Sequence, residues 1–173
     1  MKSVDELSAL NESAALNEAR SNFNVDSPPG EDVIDSRDLI EYKEEVETEL
    51  VDMYNSLKDD DNEAVDIDDV DFKDKDFKKK FKSEIKEYED LMSFIEDLEG
   101  SPDFEYGEAI INDDYFTDYM EEMLRDTDYE TMNVLDNLPS YFAVEIDWEE
   151  TASNLQVDYM SANWGREEYW IRA

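Results

Sequence analysis

The chain has 173 residues, with 51 Asp and Glu against 15 Lys and Arg, a formal net charge of −36, and neither Cys nor His. That composition excludes disulfides, thiolate metal sites, thiol nucleophiles and the imidazole base most used near neutral pH. A polyanion of this density repels nucleic-acid phosphates and attracts cationic protein surfaces, so a basic protein partner is expected and direct nucleic-acid binding is not.

Residues 1–20 lack the apolar run and basic flank of a signal peptide, and no uncharged stretch approaches the roughly 20 residues that span a bilayer. No membrane contact is expected, and the absence of Cys fits a reducing cytoplasm. Ser3 and Glu6 have capping-box spacing, while Val4, Leu7, Leu10 and Ala14 recur at helical intervals, which predicts a short helix over 3–19. Residues 21–35 turn polar and Pro28-Pro29-Gly30 blocks a continuous helix, so 1–35 reads as a flexible N-terminal helix and linker.

From Ser36 to about Leu57 the residues Leu39, Tyr42, Val46, Leu50, Met53 and Leu57 recur every three or four positions and predict a long helix. Asp38, Glu41, Glu44, Glu45, Glu49 and Asp52 lie on its other side. Residues 59–76 then hold ten acids, which suit a calcium loop, a hook for a basic protein or a solvated, mobile connection. An EF-hand fails: counted from Asp59, Ala64 stands where the loop needs Gly and Val70 where it needs a bidentate Glu. No metal and no cofactor is therefore expected.

A second long helix is predicted over 74–99, with Phe77, Phe81, Ile85, Tyr88, Met92 and Ile95 as its apolar stripe and Gly100-Ser101-Pro102 as its stop. Seven of the 15 basic residues fall between Lys73 and Lys86. Asp74–Lys78 and Asp76–Lys80 have the favourable four-residue spacing, so these lysines read as relief for the neighbouring acids rather than a nucleic-acid patch. Together, 36–100 reads as a helical acidic region.

From Glu87 onward 25 acids face only Arg125, Arg166 and Arg172. An extended piece near Glu108–Ile111 leads into a helix from Asp113 or Asp114 to Arg125, buried through Tyr115, Phe116, Tyr119, Met120 and Met123. Asp147 caps a shorter helix ending near Leu155, and Val157–Ala162 with Glu168–Arg172 form a hairpin around Asn163-Trp164-Gly165. Trp148, Trp164 and Trp170 read as core rather than as binding aromatics. The expected fold is an α-rich α+β arrangement: long N-terminal helices, then a compact acidic domain over 101–173 with helices and a short antiparallel sheet.

Leu138-Pro139-Ser140-Tyr141, followed by Ile146-Asp147-Trp148-Glu149-Glu150-Thr151-Ala152-Ser153-Asn154-Leu155, resembles the C-terminal part of ArdA-type and related phage antirestriction proteins. Ile111-Asn112-Asp113-Asp114-Tyr115-Phe116-Thr117-Asp118-Tyr119 is also phage-like. Residues 1–100 do not resemble that family's opening domains. The resemblance implies a phage or mobile-element DNA mimic in the host bacterial cytoplasm, a basic-grooved DNA-binding defence protein as partner, and a homodimer as one oligomeric form.

Acids four apart on a helix stand roughly 6 Å apart along its axis and approximate a phosphate track. The candidate phosphate-mimicking carboxylates are Glu41, Glu44, Glu45, Glu49 and Asp52, then Asp113, Asp114, Asp118, Glu121 and Glu122, then Asp147, Glu149 and Glu150. Four glycines form neither a phosphate loop nor a dinucleotide fingerprint, and no particular carboxylate pair stands out for catalysis, so no enzyme is expected. The alternative is an acidic assembly protein that binds a basic partner without copying DNA geometry.

Overall fold

The computed structural model describes residues 22–23, 28, 30–58, 64–139, 141–142 and 144–173. The helix expected over 3–19, part of the following linker and residues 59–63 of the acidic run lie outside the described residues. Among the described residues are six α-helices and a four-stranded antiparallel sheet, an α-rich α+β fold. The chain divides into two compact units, interleaved along the sequence: 42–89 with Phe23 in one, 31–41 with 90–173 in the other.

The first unit is helical. Helix α1, Ser36–Asn55, contributes Tyr42, Val46, Leu50 and Tyr54, which recur at helical spacing and are buried. Phe77 is fully buried among aromatic rings, edge-on to Tyr54 at 5.3 Å and beside Phe72 and Phe81, while Phe72 stacks on Tyr88 at 5.8 Å. The Tyr88 hydroxyl donates to Glu47, and burial followed by that hydrogen bond pushes its phenol above the ordinary range.

The expected 74–99 helix is two helices, α2 (Lys75–Lys80) and α3 (Lys82–Leu98), parted at Phe81, whose backbone leaves helical geometry at φ −119° and ψ 42°. Lys78–Lys82 and Lys79–Lys82 would be like-charge neighbours across Phe81 in one continuous helix, which disfavours continuity there. Asp74 does not serve Lys78. Its carboxylate caps α2 by accepting from the N–H groups of Asp76 and Phe77, and it pairs with Lys58 at 2.7 Å.

The described part of the acidic run is built into turns rather than left as a loose connection. Asp66 accepts from the Asp68 N–H, Asp69 from the Val65 N–H and Asp71 from the Lys73 N–H. The Asn55 side chain both donates to and accepts from the Ala64 backbone, and Ala64 and Val70 are buried. Short acidic side chains satisfy local backbone donors, which is why a charged stretch can still be ordered.

The second unit is built on the sheet, with strands β1 (Val33–Asp35), β2 (Ala109–Asn112), β3 (Tyr159–Trp164) and β4 (Glu167–Arg172) in the order β1-β2-β4-β3. β1 corrects the linker reading of 21–35: Ile34 is buried opposite Ile110, but three residues are too few for period-two alternation to register. The β3–β4 turn is Gly165-Arg166, later than expected, because Trp164 stays in the ladder opposite Glu167. Gly165 supplies the positive φ of 64° that a two-residue hairpin loop requires.

Side-chain alternation gives the sheet two apolar faces. On one, Ile111 packs with Phe116, Met120 and Ala152, flanked by Tyr159 and Trp170. Phe116 and Met120 come from α4 (Phe116–Thr127) and Ala152 from α6 (Trp148–Leu155). On the other, Tyr169 meets the edge of Phe94 in α3 at 5.5 Å, and Trp164 meets the same ring at 5.3 Å. Helix α4 begins after a 3-10 turn, Asp113–Tyr115, capped by Asn112, and runs past Arg125 to Thr127. Helix α5, Tyr129–Asp136, has no counterpart among the expected elements.

Candidate partner-binding surface

Helix α1 separates its two kinds of residue by angle alone. With 100° per residue, the buried positions fall on one side and Glu44, Glu45 and Asp52 on the other, all three exposed and Glu49 half-buried. Glu41, one turn earlier and also exposed, falls in the sheet unit. Glu47 differs: it accepts from Tyr88 and lies 3.6 Å from Lys43, so it is tied into its unit's packing.

In the sheet unit, α4 and α6 pack together over the sheet and carry the other candidates. Asp114, Asp118, Glu122, Glu149 and Glu150 are exposed. Four of the expected carboxylates here hold internal bonds. Asp113 accepts from the Trp170 indole N–H at 2.8 Å, Glu121 pairs with Arg125 at 2.8 Å, and Glu122 accepts from the Tyr115 hydroxyl at 3.2 Å. Asp147 caps α6 by accepting from the Glu150 N–H at 2.9 Å. An N-cap aspartate is required by the four unpaired N–H groups at a helix start, whatever else the residue does.

The tryptophans are neither fully core nor free. Trp148 lies under the Arg125 guanidinium at 5.2 Å, Trp170 packs beside Phe116, and Trp164 lies against Phe94; all three are half-buried. Burial first, and then nearby carboxylates, push the phenols of Tyr115 and Tyr119 above their ordinary value. Asp35, held by Arg37 through a two-armed ion pair with contacts of 3.0 and 2.6 Å, keeps its carboxyl below the usual range.

A second feature escaped the periodicity reading. Tyr129, Val134, Tyr141, Phe142 and Val144 are all more than half exposed, with the Tyr141 and Phe142 rings 4.8 Å apart. The only sequence signal was negative: apolar residues in 129–144 without a continuous helical or strand period.

Chemically, the arrangement offers exposed carboxylates on helices, suited to pairing with Lys and Arg. Among the described residues no group of three or more acids is placed to hold a metal ion, and no helix is long and apolar enough to cross a membrane. No family model, curated protein or solved structure matches the chain.

Proposed function

We propose that this protein is a phage or mobile-element DNA mimic that occupies the DNA-binding groove of a bacterial defence enzyme, such as a restriction–modification complex, in the host cytoplasm. The observation that carries the reading is the uncompensated charge of the sheet unit: 28 acids against four arginines over 31–41 and 90–173. Exposed carboxylates on α4, α6 and the outer side of α1 supply the anionic groups that a basic groove ordinarily takes from phosphates. Self-repulsion of this size is unfavourable to folding, so its retention fits a cationic partner. The resemblance of 138–155 to antirestriction proteins points the same way.

Competition tests the reading. Titrated into a restriction–modification enzyme on a duplex carrying its site, the protein should inhibit cleavage at close to one equivalent and release the bound DNA. Raising salt from about 50 to 200 mM should weaken the protein–enzyme complex by a large factor, as for phosphate contacts. Formation of a ternary complex with undiminished DNA affinity would exclude mimicry.

A further inference from the structure

Five of the eight large hydrophobic side chains that stand exposed among the described residues fall within residues 129–144. Exposed apolar side chains concentrated in one segment, with the Tyr141 and Phe142 rings in contact at 4.8 Å, mark an interaction surface, whereas scattered single residues need no explanation. Helix α5 adds an independent reason. It has eight residues, of which Met132 and Leu135 are half-buried and none is fully buried, and a helix so short gains stability from further packing.

The charge around these side chains selects the partner. Asp128, Glu130, Asp136, Glu145 and Asp147 flank or interrupt the segment, and the chain has no Lys or Arg between Arg125 and Arg166. A second copy would bring these acids against themselves, and a nucleic acid would add phosphates to them; both meet like charge. We propose that the exposed Tyr129, Val134, Tyr141, Phe142 and Val144 dock a cationic polypeptide surface carrying its own apolar strip, with Tyr129, Tyr141 and Phe142 as anchors and the acids as rim. This rests on the reading above that the partner is a basic protein. It adds that the contact is not electrostatic alone: aromatic anchors in a desolvated centre contribute most where charged rims set orientation.

Two labelled synthetic peptides of equal length and charge test this on the full chain by fluorescence anisotropy. One alternates Lys and Leu to form an amphipathic helix; the other replaces every Leu with Ser. The Lys/Leu peptide should bind about tenfold tighter or more, a preference of the size that burying a few apolar side chains provides. Tyr141→Ser with Phe142→Ser, and separately Tyr129→Ser, should shrink that preference while leaving Lys/Ser binding unchanged. Val65→Ser, at an exposed position of the other unit, should leave both affinities unchanged. All altered positions are exposed, so circular dichroism should match the parent. Equal affinity for the two peptides, or a preference untouched by both variants, would overturn the docking site while leaving a cationic partner standing. Failure of both peptides to bind would overturn both readings. A parent chain that sediments as a dimer, with the Tyr141/Phe142 variant a monomer, would give the surface to a second copy and overturn the assignment.

Discussion

Residues 42–89 set 18 acids against nine lysines, whereas the sheet unit sets 28 acids against four arginines and no lysine. Both units spend some carboxylates internally: in the helical unit Asp66, Asp69, Asp71 and Asp74 hold backbone N–H groups and Asp74 and Glu47 pair with lysines, while Glu44, Glu45 and Asp52 stay exposed. The sheet unit likewise leaves Asp118, Glu149 and Glu150 facing solvent on two packed helices, with Asp114 exposed in the 3-10 turn before the first of them, and has far fewer basic residues to offset them. Acidic composition alone therefore does not locate a binding surface; the acids left over after local hydrogen bonding do. The cores differ as well, aromatic rings between helices in one unit and two apolar sheet faces in the other.

The largest expected effect falls on that difference in cores. Phe77→Ala empties the centre of the aromatic cluster and should cost about 3–5 kcal/mol, read as a lower urea midpoint by circular dichroism. All three tryptophans lie in the sheet unit, so their fluorescence follows that unit alone. The dichroism transition should shift further than the fluorescence transition; identical shifts would erase the distinction between the units.

Next comes the distinction in charge. Neutralising Asp114, Asp118, Glu149 and Glu150 to their amides should weaken binding to a lysine-rich peptide by about tenfold, roughly 1.4 kcal/mol. The same change at Glu44, Glu45 and Asp52 should cost less. The reverse order, measured by isothermal titration, would move the principal binding face to the helical unit.

Asp147→Ala separates capping from binding. Loss of the hydrogen bond to the Glu150 N–H should lower stability by about 1 kcal/mol and leave peptide affinity close to the parent value. A variant with full stability and weakened binding would return Asp147 to the binding set.

The smallest effects are those of pH, and each unit supplies one carboxylate for comparison. Asp35, through Arg37, and Asp74, through Lys58 and two backbone N–H groups, are held below the ordinary aspartate value. Their contribution is present above that value and disappears as pH falls through the lower, folded-state value. Asp35→Asn and Asp74→Asn should each lose less stability than the parent between pH 6 and pH 3. The buried phenols act at the other end. Tyr88 in one unit, and Tyr119 and Tyr159 in the other, are raised above 10.0, so their contribution is complete below pH 10 and is lost as pH rises beyond it. The share of phenolate absorbance owed to these three should therefore appear together with unfolding rather than before it.

Helix α1, the Asp147 cap, β2 and the C-terminal hairpin were legible because each is encoded within a few residues: a 3.6-residue stripe, one acid before a helix, or a strand bounded by turn residues. The break at Phe81 was less legible, since Phe77, Phe81 and Ile85 keep helical spacing across it and only the lysine run argues against continuity. Of the thirteen candidate carboxylates, the sequence could rank none, because an exposed acid and an acid bonded to Trp170 or Tyr115 look alike in one dimension.

The sequence by itself determined the charge, the missing nucleophiles, the helical faces and the α-rich α+β class, all properties of composition or short-range period. Only the tertiary structure decided that Val33–Asp35 joins a sheet with residues 109–112, that the two units interleave, and that Tyr129, Val134, Tyr141, Phe142 and Val144 stay exposed. Those outcomes depend on pairings between positions far apart in the chain. Their stabilisation comes from area buried and backbone groups satisfied on assembly, quantities that no local pattern carries.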